Sequence, residues 1–235
     1  MTVDEIMADL QSHGSESIKK LLIKHGVKEP FFGVKVEYLK PLQKKIKKDY
    51  QLAKDLYATG NADAQYLAGL IADDEKMTRA DLQTWAEQAL STNINEYTVP
   101  WVAAEGTLGF EMAMEWIDSP QEHIAAAGWA TLGNLAALKE DSELDMDAYR
   151  AMLERVVKTI HASPNRVRSK MNSFVISVGS YINPLSQEAI GAANETGAVY
   201  VDTSGTACKV PDAVEYINKA IAKGSLSKKK KTAKC

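Results

Sequence analysis

Apolar residues recur three and four positions apart along most of the chain, which predicts amphipathic helices. The clearest series are Ile18, Leu21 and Leu22, then Leu82, Trp85 and Ala89, and then Tyr149, Met152, Leu153, Val156 and Val157. Helix-start signals agree with this pattern, because Thr78 and Ser119 place capping hydroxyls just before two of the predicted helices. We therefore predict that helices make up most of the fold.

Turn-forming dipeptides divide these helices into units of roughly 30 to 45 residues, the length of paired-helix repeats. The breakers are Gly60-Asn61, Ser163-Pro164-Asn165 and Asn183-Pro184. One strand-like run, Ala198-Val-Tyr-Val-Asp202, is too isolated to build a sheet, so we interpret it as a locally extended segment. The prediction is an all-α fold, a curved stack of helix pairs whose concave surface could hold a duplex or a protein partner.

The chain changes composition after residue 223, where the run Lys228-Lys-Lys-Lys231 begins a lysine-rich ending. We predict a single helical repeat domain over residues 1–223 and a basic, flexible C-terminal tail over residues 224–235 without apolar anchors. A lysine run of this kind can reach phosphates, bind a nuclear-import receptor or simply keep a terminus soluble.

Composition excludes several classes of protein. With 235 residues, of which 45% are hydrophobic, the chain can bury a sizeable core. Apolar runs fall short of bilayer length, and the acidic start Thr2-Val3-Asp4-Glu5 has the wrong charge for a secretory signal, so we expect a cytoplasmic protein. Two cysteines and four scattered histidines match no zinc or disulfide spacing. We expect a monomer with no metal and no cofactor.

Charge is sorted by position along the chain. Residues 19–54 carry eleven Lys against three acids, residues 55–157 carry nineteen acids against five bases, and residues 158–235 carry twelve bases against five acids. The overall charge of −3 is therefore a cancellation between two basic segments and an acidic centre. Because binding to nucleic acid without regard to sequence depends on Lys and Arg contacts to phosphate, the sorting favours a polyanionic partner. Solvated lysine faces are the alternative.

The first basic segment contains a predicted helix in which Val36, Leu39, Leu42 and Ile46 form one apolar stripe. This stripe leaves the lysines on other faces of the helix, where they could follow a phosphate backbone. The predicted phosphate contacts in this segment are Lys35, Lys40, Lys44, Lys47 and Lys48.

This segment is the first of an ordered series of motifs. They are Gly33-Val-Lys35-Val-Glu-Tyr-Leu39-Lys40, Asp63-Ala-Gln-Tyr66-Leu-Ala-Gly69-Leu, Asn95-Glu-Tyr-Thr-Val-Pro-Trp-Val102, Ile124-Ala-Ala-Ala-Gly-Trp129-Ala-Thr-Leu and Asn165-Arg-Val-Arg168-Ser-Lys170-Met-Asn172. In this order, over most of residues 1–222, the chain resembles the DNA alkylation repair family. That family consists of HEAT-like repeat proteins and includes 3-methyladenine and 7-methylguanine DNA glycosylases. The resemblance implies a right-handed helical solenoid whose basic concave face holds double-stranded DNA carrying a cationic damaged base.

The chain departs from the family at the positions that carry catalysis. Active members place a Trp and, four residues later, an Asp in the segment that matches Asn95 to Trp101, with an Arg and a further Trp on later helices. Here Glu96 takes the place of the Trp and Pro100 that of the Asp. The helix that would supply the Arg has no cation between Ile124 and Gly128, and the later Trp position falls near Asn172. The resemblance therefore implies the fold and DNA affinity, and leaves excision of the base open.

Two carboxylates are candidates for a catalytic role, because a fixed carboxylate could stabilise the positive charge that grows on the sugar as the base leaves. Glu96 is the first. Glu105 is the second, because it lies four residues after Trp101 and a helix would stack the two on one face. The aromatic and polar candidates for a pocket are Tyr97, Trp101, Trp129 and Asn172. For Trp101 and Trp129, burial in the core is the alternative.

The second basic segment predicts an anion site. Arg166, Arg168 and Lys170 follow Ser163-Pro164 at a helix start, where backbone N–H groups and the helix dipole also favour an anion. Salt bridges to the acidic centre are the alternative.

A loop rich in small and hydroxyl residues follows at 201–211. It could cradle a phosphate through Lys209, or carry a reactive thiol at Cys208, or use its Ser and Thr residues to cap the helix after Pro211.

Three functions fit the sequence. The first is a DNA-binding protein of the alkylation repair family that either excises cationic alkylated purines or only binds DNA. The second is a solenoid that binds a protein partner in the same groove. The third is small-molecule chemistry at Cys208, which has local support only. Salt separates the first two, because phosphate contacts weaken steeply with ionic strength and apolar contacts do not.

Overall fold

The computed structural model describes residues 1–206 and 208–234, and α-helices account for most of them. The helices are α1 (Val3–Ser12), α2 (Glu16–Lys24), α3 (Val36–Ile46), α4 (Tyr50–Ala58), α5 (Ala62–Ile71), α6 (Arg79–Gln88), α7 (Val99–Glu105), α8 (Gly109–Trp116), α9 (Glu122–Leu138), α10 (Met146–Thr159), α11 (Asn165–Tyr181), α12 (Ser186–Thr196) and α13 (Ala213–Ala222). Residues 198–202 lie outside any helix or strand. Within the described ranges, every helix is too short or too polar to cross a membrane.

The helices form two layers, which confirms the predicted all-α stack of helix pairs. Helices α5, α7, α9, α11 and α13 follow one another in one layer, and each contacts the next. Helices α4, α6, α8, α10 and α12 form the other layer and pack against the first. This arrangement is typical of repeat solenoids, in which each unit buries its apolar face against its neighbours.

Helix α9 lies between two apolar clusters, one built from residues 6–127 and the other from residues 113–217. Its small residues allow close packing, since a Cβ at Gly128 would lie 2.7 Å from the backbone N of Ile117. Trp129, one residue later, is 1% exposed and its ring centroid lies 5.2 Å from that of Phe174. Trp129 is therefore a core residue, and it contributes only a small surface to a cavity beside Asp118 and Arg155.

Helix α2 departs from the predicted pattern. Leu21, expected on a buried apolar face, is 50% exposed, and so is Ile23. No residue of α2 is fully buried. The helix lies on the surface at one edge of the stack, next to the loop of residues 25–28.

Asp63 at the start of α5 organises the loop that precedes α3. Its carboxylate accepts hydrogen bonds from the backbone N–H groups of Phe32 (2.6 Å), Gly33 (3.0 Å) and Val34 (3.2 Å). Burial raises the pKa of Asp63, although these three donors act in the opposite direction. Two of the motifs recognised in the sequence therefore meet at one carboxylate.

The C-terminal segment of residues 225–234 lies against the helices, which differs from the expectation of a tail without anchors. Lys229 Nζ donates to the backbone oxygens of Ala136 (3.0 Å) and Tyr181 (2.7 Å) and pairs with Asp141 at 2.8 Å. These oxygens belong to the last turns of α9 and α11, where a helix leaves carbonyl groups without internal partners and where cations are favourable. Lys229, which looked free in sequence, thus caps the ends of two helices.

The same segment reaches the first half of the chain. Glu105 accepts a hydrogen bond from Ala233 N at 2.7 Å. Lys234 Nζ lies 2.7 Å from a carboxylate oxygen of Asp74, which is buried, and Lys48 lies 3.8 Å from the same carboxylate. Burial raises the pKa of Asp74, and the two lysines oppose that rise.

We expect Asp63→Ala to lower the free energy of unfolding by roughly 3 kcal/mol, because three buried N–H groups lose their acceptor at about 1 kcal/mol or more each. Chemical denaturation measures the change. Asp55→Ala is the matched control, since Asp55 is exposed on α4 and its substitution should cost under about 0.5 kcal/mol. Equal costs for the two variants would contradict the role assigned to Asp63.

We expect Lys234→Met to lower the free energy of unfolding by about 2 kcal/mol, because it leaves the buried Asp74 carboxylate with the more distant Lys48 alone. Thermal or denaturant unfolding gives the value. Lys231→Met removes an exposed lysine of the same segment and should leave stability unchanged. If Lys234→Met also left the free energy of unfolding unchanged, the docking of this segment would contribute nothing to stability.

Candidate nucleic-acid interface

A groove of about 470 Å³ separates the end of α2 from the start of α11 and from residues 201–206 and 208–211. Its charged lining consists of Lys24, Glu96, Arg166, Lys170, Asp202 and Lys209. A larger cavity of about 580 Å³ lies between α12, α13 and residues 197–199, but Asp212 and Glu215 are the charged groups of its described lining. Because acids alone repel phosphate, we regard the first groove as the candidate interface.

The floor of the groove is a buried ion cluster centred on Glu96. The π-helical turn Ile94–Thr98 precedes α7 and carries this carboxylate, whose side chain is 1% exposed. Arg166 binds it with two hydrogen bonds, Nε to Oε1 at 2.5 Å and Nη2 to Oε2 at 2.7 Å. Lys170 Nζ lies 2.8 Å from Oε2. One carboxylate therefore holds both cations through short, charge-assisted contacts.

The cluster determines the protonation of Glu96. Burial raises its pKa, but the hydrogen bond from Arg166 and the charges of Lys170 and Arg166 outweigh burial and hold the pKa below its ordinary value. The pKa of Arg166 is raised, mainly by its hydrogen bond to Glu96. Both partners are therefore charged at neutral pH, and the carboxylate is enclosed by cations of its own chain.

Tyr97 is the one predicted pocket residue that lines the groove in the described part of the chain. Its side chain is 48% exposed, and Lys170 Nζ lies 4.6 Å from the ring centroid. Trp101 stands behind it with a ring centroid 6.1 Å away, is 3% exposed and packs edge-on against Tyr66. Trp101 thus supports Tyr97 from within the core.

Arg168 and Asn172 of α11 hold Tyr200 and Pro211, which lie at the two ends of the loop that follows α12. Arg168 donates to the backbone oxygens of Tyr200 (2.9 Å) and Ser163 (3.1 Å), and Asn172 Nδ2 donates to that of Pro211 (2.9 Å). The predicted roles were phosphate contact for Arg168 and pocket lining for Asn172. In the structure both side chains donate to backbone carbonyl groups. Asn172 does not line the groove, but it lines the larger cavity beside α12 and α13.

The start of α11 already has an anion. Glu122 of α9 accepts a hydrogen bond from the backbone N of Arg166 at 2.7 Å, which satisfies one of the N–H groups left open at a helix start. The anion site predicted at this helix start is therefore filled by a carboxylate of the protein. The cap after Pro211 also differs from the prediction, because Asp212, and not a Ser or Thr, accepts from the backbone N of Glu215 at α13.

The lysines of α3 form a second basic surface outside the groove. Lys40, Lys44 and Lys47 are exposed. Lys35 lies 3.4 Å from Glu37, and Lys48 lies beside Asp74. Of the predicted phosphate contacts, Arg166, Lys170 and Lys209 line the groove.

Glu105 is not part of the groove. It ends α7, whereas Glu96 precedes the same helix, and it accepts hydrogen bonds from Thr232 and Ala233 of the C-terminal segment. Pro100, at the position of the family's catalytic Asp, is buried in α7. The structure does not bring Trp101 and Glu105 together in the groove: Trp101 is packed in the core, and Glu105 is half-buried and bonded to the C-terminal segment.

Sequence reasoning missed Lys24 and His25, which line the groove from the side of α2. Their place in the first basic segment was a signal for Lys24. Cys208 is exposed and lines the groove near Lys209. Among residues 1–206 and 208–234, no cluster of three or more His, Cys, Asp or Glu could hold a metal ion.

Comparison with known proteins gives matches over most of the chain. The profile of a family described as DNA alkylation repair enzyme matches residues 6–217. An uncharacterised protein of Listeria innocua is 29% identical over 226 residues, which is 94% of this chain and 97% of that protein. An uncharacterised protein of Listeria monocytogenes is 28% identical with the same coverage.

A solved structure is similar over the full length of both chains, with 36% sequence identity and a TM-score of 0.92. It is described as a member of a new family of proteins related to the HEAT-like repeat DNA glycosylases with affinity for branched DNA structures. The HEAT-like solenoid predicted from sequence is thereby confirmed.

We expect Glu96→Gln to lower the free energy of unfolding by about 3 kcal/mol at pH 7, because it removes the carboxylate from a buried ion cluster. A carboxylate whose pKa is lowered by folding stabilises the fold above its ordinary pKa of 4.5 and loses that effect as the pH falls through the lowered value. The difference between wild type and variant should therefore be constant above about pH 4.5 and shrink below it.

Denaturant unfolding at a series of pH values measures this difference. Glu195→Gln, an exposed site on α12, is the control and should show no such pH dependence. A difference for Glu96→Gln that stays constant down to pH 3 would contradict a charged Glu96 in the folded protein.

Proposed function

The chain belongs to the DNA alkylation repair enzyme family, and from this we propose that it binds branched double-stranded DNA in its basic groove without excising alkylated bases. The observation that carries the proposal is the buried cluster of Glu96, Arg166 and Lys170. It occupies the groove floor, where a member that excises bases would need an available carboxylate.

The chemistry of base excision supports this reading. As a cationic methylated purine leaves, positive charge grows on the sugar, and a carboxylate can lower the barrier only if it faces that charge. The negative charge of Glu96 is already compensated by Arg166 at 2.5 Å and Lys170 at 2.8 Å. Pro100 is buried in α7 and offers no replacement. Glu105 lies at the other end of α7, outside the groove, where it accepts hydrogen bonds from the C-terminal segment.

The charges that remain in the groove suit phosphate. Lys24 and Lys209 are exposed on opposite sides of it, and Arg166 is partly exposed above Glu96. Two lysines on different walls of a groove can contact two strands or two arms of a duplex, and such contacts carry no sequence preference. The preference for branched DNA comes to this chain by analogy with the similar solved structure. The exposed lysines of α3 extend the basic surface beyond the groove.

The proposal is tested with two assays on the purified protein. Incubation with double-stranded DNA treated with a methylating agent should release no 3-methyladenine or 7-methylguanine above a protein-free background. Binding to a three-way junction, a four-way junction and a linear duplex of matched sequence should favour the junctions, and the logarithm of the affinity should fall linearly with the logarithm of the salt concentration.

Matched variants assign the contacts. Lys24→Gln and Lys209→Gln should each reduce the salt slope by about 1, as expected for the loss of one phosphate contact. Lys223→Gln, an exposed lysine at the end of α13, should leave the slope unchanged. Release of a methylated base, or equal affinity for branched and linear DNA, would refute the proposal. An absence of DNA binding would favour a protein partner for the groove.

A further inference from the structure

Helix α2 presents an unusual surface beside the groove. Leu21 and Ile23 are each 50% exposed, and Lys20 and Lys24 are exposed between them. In the described part of the chain, no acid pairs with either lysine. Large aliphatic side chains that are half exposed in pairs on one short helix are uncommon on a soluble domain and often belong to a binding site.

The order of these residues around the helix is informative. At about 100° per residue, Ile23, Lys20, Lys24 and Leu21 lie in this order around roughly 160° of the surface. Glu16 and Ser17, one turn earlier in the helix, also project into this arc. The two lysines lie in the middle of this arc, and one aliphatic side chain lies at each edge. Ile18 and Leu22 lie on the opposite side, where both are half buried.

The end of α2 is fixed to the groove floor. The backbone N of Thr92 donates to the oxygen of Gly26 at 3.2 Å, and the backbone N of Lys28 donates to Ser91 Oγ at 2.8 Å. These contacts attach the loop after α2 to the turn that leads to Glu96. The side chains of Leu22 and Lys24 line the groove itself. Lys24 is the arc residue that lines the groove, so the exposed arc of α2 begins at the edge of the proposed DNA-binding site and extends away from it.

We propose that α2 is the element that recognises the branch point, with Leu21 and Ile23 packing against unstacked base pairs while Lys20 and Lys24 contact the adjoining phosphates. This inference rests on the proposed function. At a branch, the base pairs that begin each arm lose a stacking neighbour and expose apolar faces. Aliphatic side chains are known to wedge against such faces, and a continuous duplex offers them only at its ends.

The arrangement fits DNA better than a membrane. An amphipathic helix that lies on an anionic bilayer needs an unbroken apolar face, with its lysines on the opposite side. In α2 the lysines occupy the middle of the exposed arc and the apolar residues its edges. At a branch point, two strands converge, and their phosphates could contact the lysines. The exposed bases on either side could then contact the apolar residues at the edges of the arc.

The test compares Leu21→Gln/Ile23→Gln with wild type on a three-way junction and on a linear duplex of the same sequence. The double variant should bind the junction about tenfold more weakly, because two apolar contacts to bases are lost. Its affinity for the linear duplex should change less than about twofold, since phosphate contacts remain. Thermal unfolding checks that the variant folds, which half-exposed positions permit.

Two controls separate the contributions of apolar and charged groups. Ile221→Gln removes an aliphatic side chain that is 36% exposed on α13, a helix that also carries lysines, and should change neither affinity. Lys20→Gln/Lys24→Gln should weaken both DNA forms alike and reduce the salt slope by about 2. A junction with 2-aminopurine at the branch should change its fluorescence on binding wild type and not on binding Leu21→Gln/Ile23→Gln.

The outcomes distinguish this inference from the proposed function. If wild type prefers the junction and Leu21→Gln/Ile23→Gln retains that preference, the wedge is refuted and the proposed function stands. If wild type shows no preference for the junction, the proposed function fails and the wedge fails with it. Binding of wild type to phosphatidylglycerol vesicles that the double variant loses, with junction binding intact, would assign α2 to a lipid surface instead.

Discussion

The ion cluster of Glu96, Arg166 and Lys170 joins the two halves of the solenoid. Glu96 lies in the turn before α7, among residues of the first apolar cluster, whereas both cations lie on α11, which belongs to the second. A carboxylate buried this deeply is tolerated only with its partners in place. The same contacts fix the guanidinium of Arg166 at the groove and keep Lys170 beneath Tyr97. The groove therefore has a cationic edge because the buried carboxylate of Glu96 requires Arg166 and Lys170 as partners.

The net negative charge of residues 55–157 suggests that this part of the chain repels DNA, but many of its carboxylates are paired within the fold. Several of its carboxylates pair with lysines and arginines of the two basic segments or with backbone N–H groups. They are Asp63, Asp74, Glu96, Glu122 and Asp141. Counting charges along the chain therefore overstates both the repulsion from the centre and the number of cations available to a ligand. What remains exposed is smaller and is concentrated at the groove, α2 and α3.

The fold was predictable because its signals are local. Helical spacing, the cap at Thr78 and the small residues before Trp129 each act within one or two turns, and each has its expected effect. The candidate site depends on contacts between distant residues, and sequence pattern does not encode them. Arg166 could have faced solvent or a carboxylate, and only the fold brings it to Glu96, 70 residues earlier. The spacing in α2 resembled a buried face, but no neighbouring helix covers that side.

A stack of repeats that touch only their neighbours can lose its end units one at a time. The segment of residues 225–234 changes this behaviour, because Lys234 contacts Asp74, 160 residues earlier in the chain. Helix α13 cannot detach while that contact holds. The last unit is therefore tied to an early one, and local fraying is converted into a cooperative opening that involves both halves.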